Sequence, residues 1–350
     1  MIDLRSDTLT RPSPEMVQAM VSVRLGDDNF GEDAATNELE EHCAALLGKQ
    51  AAVFVPTGTM SNQIALRLHT RPGDDVILDA SYHVNTYESA PSADLAGVCL
   101  HPVDTGTGML TPGDIDRAID AKARDPRYAR PALLALENTV NHRAGRVVPL
   151  GLLQTLFRHA RGRGMRVHLD GARLFNASVA SRTPLESYGT TADTISVCFA
   201  KGLGAPVGSV LAGDAELMDQ ARYYRKSYGG ALHQSGHLAA AALFALRHNI
   251  ARLQDDHAAA RLLAERLARQ GLLDVEGPVD TNMVIVDTAR SGITAAGLAE
   301  ALADKSVLAM PVGAHRLRFV THLHITTADV RAAADATAAV TDTLRAASTR

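Results

Sequence analysis

Lysine is scarce in this 350-residue chain. Of its 35 basic residues only five are lysine (Lys49, Lys122, Lys201, Lys226 and Lys305), the other 30 being arginine. Any chemistry needing a primary amine therefore has few places to reside. Cysteine is scarcer still. Cys43, Cys99 and Cys198 are an odd number at wide spacings, which excludes a disulfide framework and a zinc-finger ligand set and fits a reducing compartment. No run approaches the roughly 18 to 20 apolar residues of a membrane span, and Met1-Ile-Asp-Leu-Arg-Ser-Asp-Thr8 lacks the basic-then-apolar form of a signal peptide. Excess positive charge is absent too: the net charge is -4, so neither nucleic acid nor an anionic membrane is indicated as partner. Repeats and low-complexity tracts are missing, and only the final AASTR reads as frayed. What remains, with 46% hydrophobic and 21% charged residues, is the composition of a globular enzyme, expected in the cytoplasm.

Seven short apolar, largely β-branched runs recur with helical stretches between them: Ala51–Val55, Asp75–Asp79, Gly97–Val103, Ala132–Asn138, Met165–Asp170, Thr194–Ala200 and Ser209–Ala212. Such alternation predicts an α/β fold with a mostly parallel sheet covered on both faces. After about residue 236 the pattern changes to Ala- and Leu-rich helices, followed by a smaller α+β portion with strands near Thr281–Val286 and Leu317–Val320. The domain boundary is placed near 245–250.

Among the lysines, Lys122 and Lys305 read as solvated, Lys49 sits in a turn and Lys226 in a basic pair. Lys201 alone follows a continuous apolar strand and opens the glycine-rich Lys201-Gly-Leu-Gly-Ala-Pro-Val-Gly208. Asp170, in His168-Leu-Asp-Gly-Ala-Arg173, lies 31 residues earlier at the preceding strand's end, where parallel sheets bind ligands. Pro56-Thr-Gly-Thr-Met-Ser-Asn62 joins a strand to a helix. It has the form of a phosphate-holding turn, and equally of a plain threonine-capped one. It is neither a P-loop nor GxGxxG, which disfavours nucleoside triphosphates and dinucleotides. A desolvated lysine suits a Schiff base, an aspartate suits a protonated pyridine nitrogen, and a helix N-terminus suits a phosphate. Together, in this order, they specify pyridoxal 5'-phosphate.

The chain resembles the low-specificity L-threonine aldolases, within the fold type I pyridoxal-phosphate enzymes. The resemblance runs from Asp3-Leu-Arg-Ser-Asp-Thr8 to Phe319-Val-Thr-His322. It takes in Gly26-Asp-Asp28, Gly31-Glu-Asp33, Pro56-Thr-Gly-Thr59, Glu137-Asn-Thr139, the segments around Asp170 and Lys201, and Asp280-Thr-Asn-Met283. It implies the aspartate-aminotransferase-like fold: three layers around a mostly parallel seven-stranded sheet. Residues 1–248 would form the large cofactor-binding domain, with 1–30 as an N-terminal arm, and 249–350 the small one. It further implies that Lys201 bonds the cofactor, that Asp170 faces the pyridine nitrogen, that Gly58 and Thr59 hold the phosphate, and that His83 stacks on the ring. Ser6, Arg173 and Arg318 would clamp the substrate carboxylate, with Glu137 bonding backbone or a site loop. A homodimer or homotetramer with shared active sites is expected, and no metal.

Four positions depart from the family pattern. Val140 stands where relatives carry a histidine facing the substrate hydroxyl, with His142 two residues on. Ala200 replaces a serine, His233 replaces an arginine, and Ser89-Ala-Pro-Ser-Ala-Asp94 replaces a glycine-rich segment. An apolar wall at Val140 would suit a different Cβ substituent. The expected reaction is retro-aldol cleavage of an L-β-hydroxy-α-amino acid to glycine and an aldehyde. Racemisation, β-elimination, glycine transaldol transfer and a non-catalytic relative are the alternatives.

Overall fold

The computed structural model describes residues 1–122, 125 and 127–348. Its strands are β1 (Ile2–Asp3), β2 (Ala51–Val55), β3 (Asp75–Asp79), β4 (Cys99–Val103), β5 (Pro131–Glu137), β6 (Arg166–Gly171), β7 (Thr194–Cys198), β8 (Ser209–Gly213), β9 (Asp274–Val275), β10 (Met283–Asp287), β11 (Val307–Leu308), β12 (Met310–Pro311) and β13 (Arg316–Val320). Seven of them form one sheet in the order β2-β8-β7-β6-β5-β3-β4. β8 runs antiparallel to both neighbours and the rest pair in parallel, so β2 again points the same way as β7. Apart from the edge strand β4, which is partly exposed, their apolar residues are buried on both faces: Val53–Val55, Val76–Leu78 and Leu133–Leu136 are at most 2% exposed. That burial is why these runs do not alternate with polar residues.

A second core gathers Leu4, Ala260, Leu263, Leu267 and Leu298 around a four-stranded antiparallel sheet, β12-β13-β10-β9. The helix Gly236–His248 packs in the first core and, apart from its first residue Leu253, the helix Leu253–Arg269 packs in the second. The amino-terminal segment touches both: β1 pairs in parallel with β11, Leu4 enters the second core, and the helix Pro14–Ser22 packs on Gly236–His248.

Three expectations are corrected. The strand expected over Thr194–Ala200 stops at Cys198. There the chain turns through Gly204 (φ 81°) and Gly208 (φ 119°), so Lys201 sits in a loop three residues past the strand end. Lys122 is not simply solvated; its ammonium pairs with the buried Asp75 at the amino edge of β3. The fraying expected from residue 346 is absent as far as 348, where the helix Thr327–Ser348 ends; residues 349 and 350 lie outside the described residues.

Candidate active site

The carboxyl ends of β2, β3, β5, β6 and β7 meet at one edge, because their parallel alignment sends every outgoing loop to the same side. The register sets Glu137 beside Asp170 and Asp170 beside Ser196. Between these ends lies a cavity of about 280 Å³ whose wall includes Gly58, Thr59, His83, Asp170, Arg173 and Lys201. Six of the eight residues expected from the sequence thus line one space. Ser6 and Arg318 are not among its lining residues, although Arg318 reaches the lining residue Asn141. The Ser6 hydroxyl accepts from the Thr8 N–H at 3.2 Å, while Arg318 and Arg173 each aim an Nη1 at the Asn141 amide oxygen, 3.4 Å away in both cases.

The floor is a buried polar network. Asp170 is 3% exposed; its carboxylate accepts from Asn62 Nδ2 at 2.8 Å and from the Ala172 N–H at 2.9 Å. Asn62 is fixed in turn, its amide oxygen taking the Ser196 hydroxyl at 2.8 Å. Burial works against the Asp170 charge, but His83, Lys201 and these two donors hold its carboxyl below the usual range. It is an anion facing the cavity. The Nδ1 of His83 lies 2.6 Å from the Glu88 carboxylate, which is itself held by Gln63. Burial alone would make this imidazole less basic; Glu88, Asp170 and Glu137 together raise it above its ordinary value. Glu137 bonds backbone, accepting from the His83 N–H at 2.5 Å and from the Asn141 N–H at 2.8 Å. Desolvation, with Asp170 beside it, pushes Glu137 up to about 7.

Both readings of the Thr57 turn hold at once. Thr57 caps the helix Gly58–His69 by accepting from the Met60 N–H at 3.1 Å. Gly58 and Thr59, as first-turn residues, carry N–H groups with no partner inside the helix, at its positive end. A Cβ on Gly58 would stand 2.7 Å from Cys198 Sγ, so the close approach requires glycine. Thr139 also lines the cavity, and its buried hydroxyl has no partner in the protein. An amine, a buried anion, a helix N-terminus and an unsatisfied hydroxyl around one space fit pyridoxal phosphate.

The departures resolve as follows. Val140 is fully buried and packs toward Gly108, its Cγ1 2.9 Å from where a Cβ on Gly108 would stand. It is not part of the cavity's described lining, so the expected apolar wall is not formed. His142 is nearer the chemistry: its ring stacks on Tyr87 at 5.3 Å, Tyr87 lies 4.9 Å from His83, and the His142 Nε2 is buried without a partner. Burial, then Arg316 and Arg318, lower the basicity of His142 and favour the neutral ring. Ala200 lines the cavity. His233 is exposed and pairs with Asp27 at 2.9 Å. The 89–94 segment is helical, and the Ser92 hydroxyl donates to the Glu88 carbonyl oxygen at 2.8 Å, steadying the partner of His83.

Sequence reasoning missed Asn62, Glu88, Asn141 and Asp7. Asn62 and Asp7 lay inside quoted motifs, PTGTMSN and DLRSDT, but nothing local marked them out. Glu88 follows a tyrosine in an unremarkable stretch.

The lysine in the loop past β7, the buried aspartate and the helix N-terminus on a mostly parallel seven-stranded sheet define a fold type I pyridoxal-phosphate enzyme. The backbone agrees: it superposes on a threonine aldolase of Leishmania major with a TM-score of 0.84 at 18% identity, covering 97% of this chain and 100% of that one. The beta-eliminating lyase family matches residues 3–291. Low specificity L-threonine aldolase of Escherichia coli strain K12 is 41% identical over 327 residues, 93% of this chain and 95% of that one. Low-specificity L-threonine aldolase 1 of Arabidopsis thaliana is 40% identical over 336 residues, 94% and 93% respectively. The chain belongs to the beta-eliminating lyase family, among relatives that are low-specificity L-threonine aldolases.

Proposed function

We propose that this chain is a pyridoxal-phosphate-dependent aldehyde-lyase. It cleaves L-β-hydroxy-α-amino acids of the threonine, allo-threonine or phenylserine type between Cα and Cβ, giving glycine and an aldehyde. The observation that carries the reading is the convergence of Lys201, Asp170, His83 and the Gly58–Thr59 turn on one cavity, in a chain about 40% identical end to end to aldolases. When bound, the cofactor supplies an electron sink for the pair released from the Cα–Cβ bond.

The chain's own residues do the rest. Lys201 lines the cavity and would hold the cofactor through its side-chain amine. The Asp170 anion would hold a proton on the pyridine nitrogen, and Asn62 keeps that carboxylate in place. Gly58 and Thr59 offer N–H groups to the phosphate. His83 would stack on the cofactor ring, and its Nε2, on an imidazole held at Nδ1 by Glu88, would take the β-hydroxyl proton. Ser6, Arg173 and Arg318 bind the α-carboxylate, whose planar oxygens match guanidinium donors. That grip would fix the orientation of the substrate in the cavity.

A homodimer or homotetramer with shared sites accompanies this reading. Phe30 is 77% exposed, Tyr223 68% and Val21 64%, apolar surface of the kind a second copy covers. No helix among the described residues is long and apolar enough to cross a membrane, which accords with a cytoplasmic setting. The test is to supply threonine, allo-threonine and phenylserine to the purified cofactor-loaded protein and measure glycine and aldehyde. Release of both, abolished in Lys201→Ala, is expected. A keto acid instead would mean β-elimination; exchange of the Cα proton with no glycine would mean racemisation.

A further inference from the structure

Arg173, one of the carboxylate-binding groups of the proposed reaction, is already engaged. Its Nε donates to Asp7 Oδ2 at 2.8 Å and its Nη2 to Asp7 Oδ1 at 2.6 Å, a bidentate fork in which Asp7 is fully buried and Arg173 is 7% exposed. Only Nη1 is left to face the cavity, and its one acceptor among the described residues is the Asn141 amide oxygen at the long distance of 3.4 Å. Arg318 offers its own Nη1 to the same oxygen at 3.4 Å. Its Nη2 is committed to the Arg5 carbonyl and its Nε has no partner. Two guanidiniums thus point one nitrogen each at one weakly satisfied spot. Two cations and one anion leave a single positive charge there, the complement of one carboxylate.

We infer that Asp7 is the positioning residue for amino-acid recognition: by occupying two donors of Arg173 it aims the third, with Arg318, at the incoming α-carboxylate. Asp7 touches neither substrate nor cofactor on this reading. Asn282 Nδ2 steadies it at 3.3 Å, and Thr10, three residues on, donates its hydroxyl to the Lys201 carbonyl at 2.7 Å. The amino-terminal arm therefore holds the carboxylate end of the site and the lysine loop together. A buried guanidinium freed of its fork would swing, and misplacing a binding group by about 1 Å costs on the order of a hundredfold.

The inference rests on the aldolase reading for its substrate, so the experiment reads amino-acid binding separately from turnover. Glycine is titrated into the cofactor-loaded protein, following the visible absorbance of the lysine-bound cofactor, with kcat and KM for threonine measured alongside. Asp7→Asn is expected to weaken glycine about 10- to 100-fold and to raise KM by far more than it lowers kcat. Asp7→Glu, which keeps the charge but lengthens the arm, is expected to recover part of the affinity and covers the case in which Asp7→Asn does not fold. In an Arg173→Gln background, Asp7→Asn is expected to add nothing. Unchanged glycine affinity in folded Asp7→Asn, or an equal loss with and without Arg173, overturns the role of Asp7. Failure of the unsubstituted protein to release aldehyde while still binding glycine would overturn the aldolase reading and leave this one standing.

Discussion

Gly58→Ala tests the cofactor cradle most directly. The added Cβ would stand 2.7 Å from Cys198 Sγ, whereas ordinary contact begins near 3.4 Å, so one side must retreat by about 0.7 Å. Cys198 is poorly placed to move. It is 6% exposed in β7, pinned between β6 and β8, with its thiol 3.6 Å from the Ser209 hydroxyl. The first turn of the Gly58–His69 helix must give way instead, at an overpacking cost of about 1–3 kcal/mol. That motion carries the Gly58 and Thr59 N–H groups off the phosphate. A hydrogen bond to a charged group contributes about 1.5–3 kcal/mol, so losing one weakens pyridoxal phosphate roughly ten- to a hundredfold. The assay is a titration of apo-protein with the cofactor, read by absorbance, with apo thermal unfolding measured in parallel. Cys198→Ala, which removes the obstructing sulfur, is expected to restore most of the affinity to Gly58→Ala. Wild-type cofactor affinity in Gly58→Ala, or no relief from Cys198→Ala, would refute the reasoning.

Glu88→Gln removes the anion on His83 Nδ1; since that carboxylate helps hold the imidazole above its ordinary value, the kcat/KM limb reporting His83 should move to lower pH, and an unmoved limb would exclude His83 as the titrating base. Two further histidines predict acid lability. Burial lowers His168 to about 4 and His69 to about 3, so both stay neutral in the fold while the unfolded chain takes up their protons. Stability from this source is fully present above about pH 6.5 and falls as the pH drops toward the folded values. Thermal unfolding followed from pH 7 to 5 checks this, and a flat midpoint would contradict it.

The legible part of this protein was whatever repeats locally. Seven apolar runs announced seven strands within about two residues at each end, because strands buried on both faces cannot alternate with polar residues. The ends drifted where glycine turns intervened: Gly97 (φ 68°) closes a turn before β4, whose expected start at that residue moves to Cys99. Lys201 stood out by scarcity, Asp170 by its place at a strand end, and the Thr57 turn by opening a helix.

Partnerships between distant residues were invisible. Asp7 meets Arg173 across 166 positions, Asn62 meets Asp170 across 108, and Gly58 needs its missing Cβ only because β7 sets Cys198 against it. Val140 read as a wall of the site, whereas its side chain packs toward Gly108.

The sequence by itself determined the order of strands and helices along the chain, the cofactor class and the candidate residues for holding it. Those follow from periodicity and from side-chain types spaced one strand apart. Only the tertiary structure decided what holds each of those residues in its working orientation. A hydrogen bond or a van der Waals contact depends on distance in space, and the parallel sheet brings to one edge residues that the chain keeps a hundred positions apart.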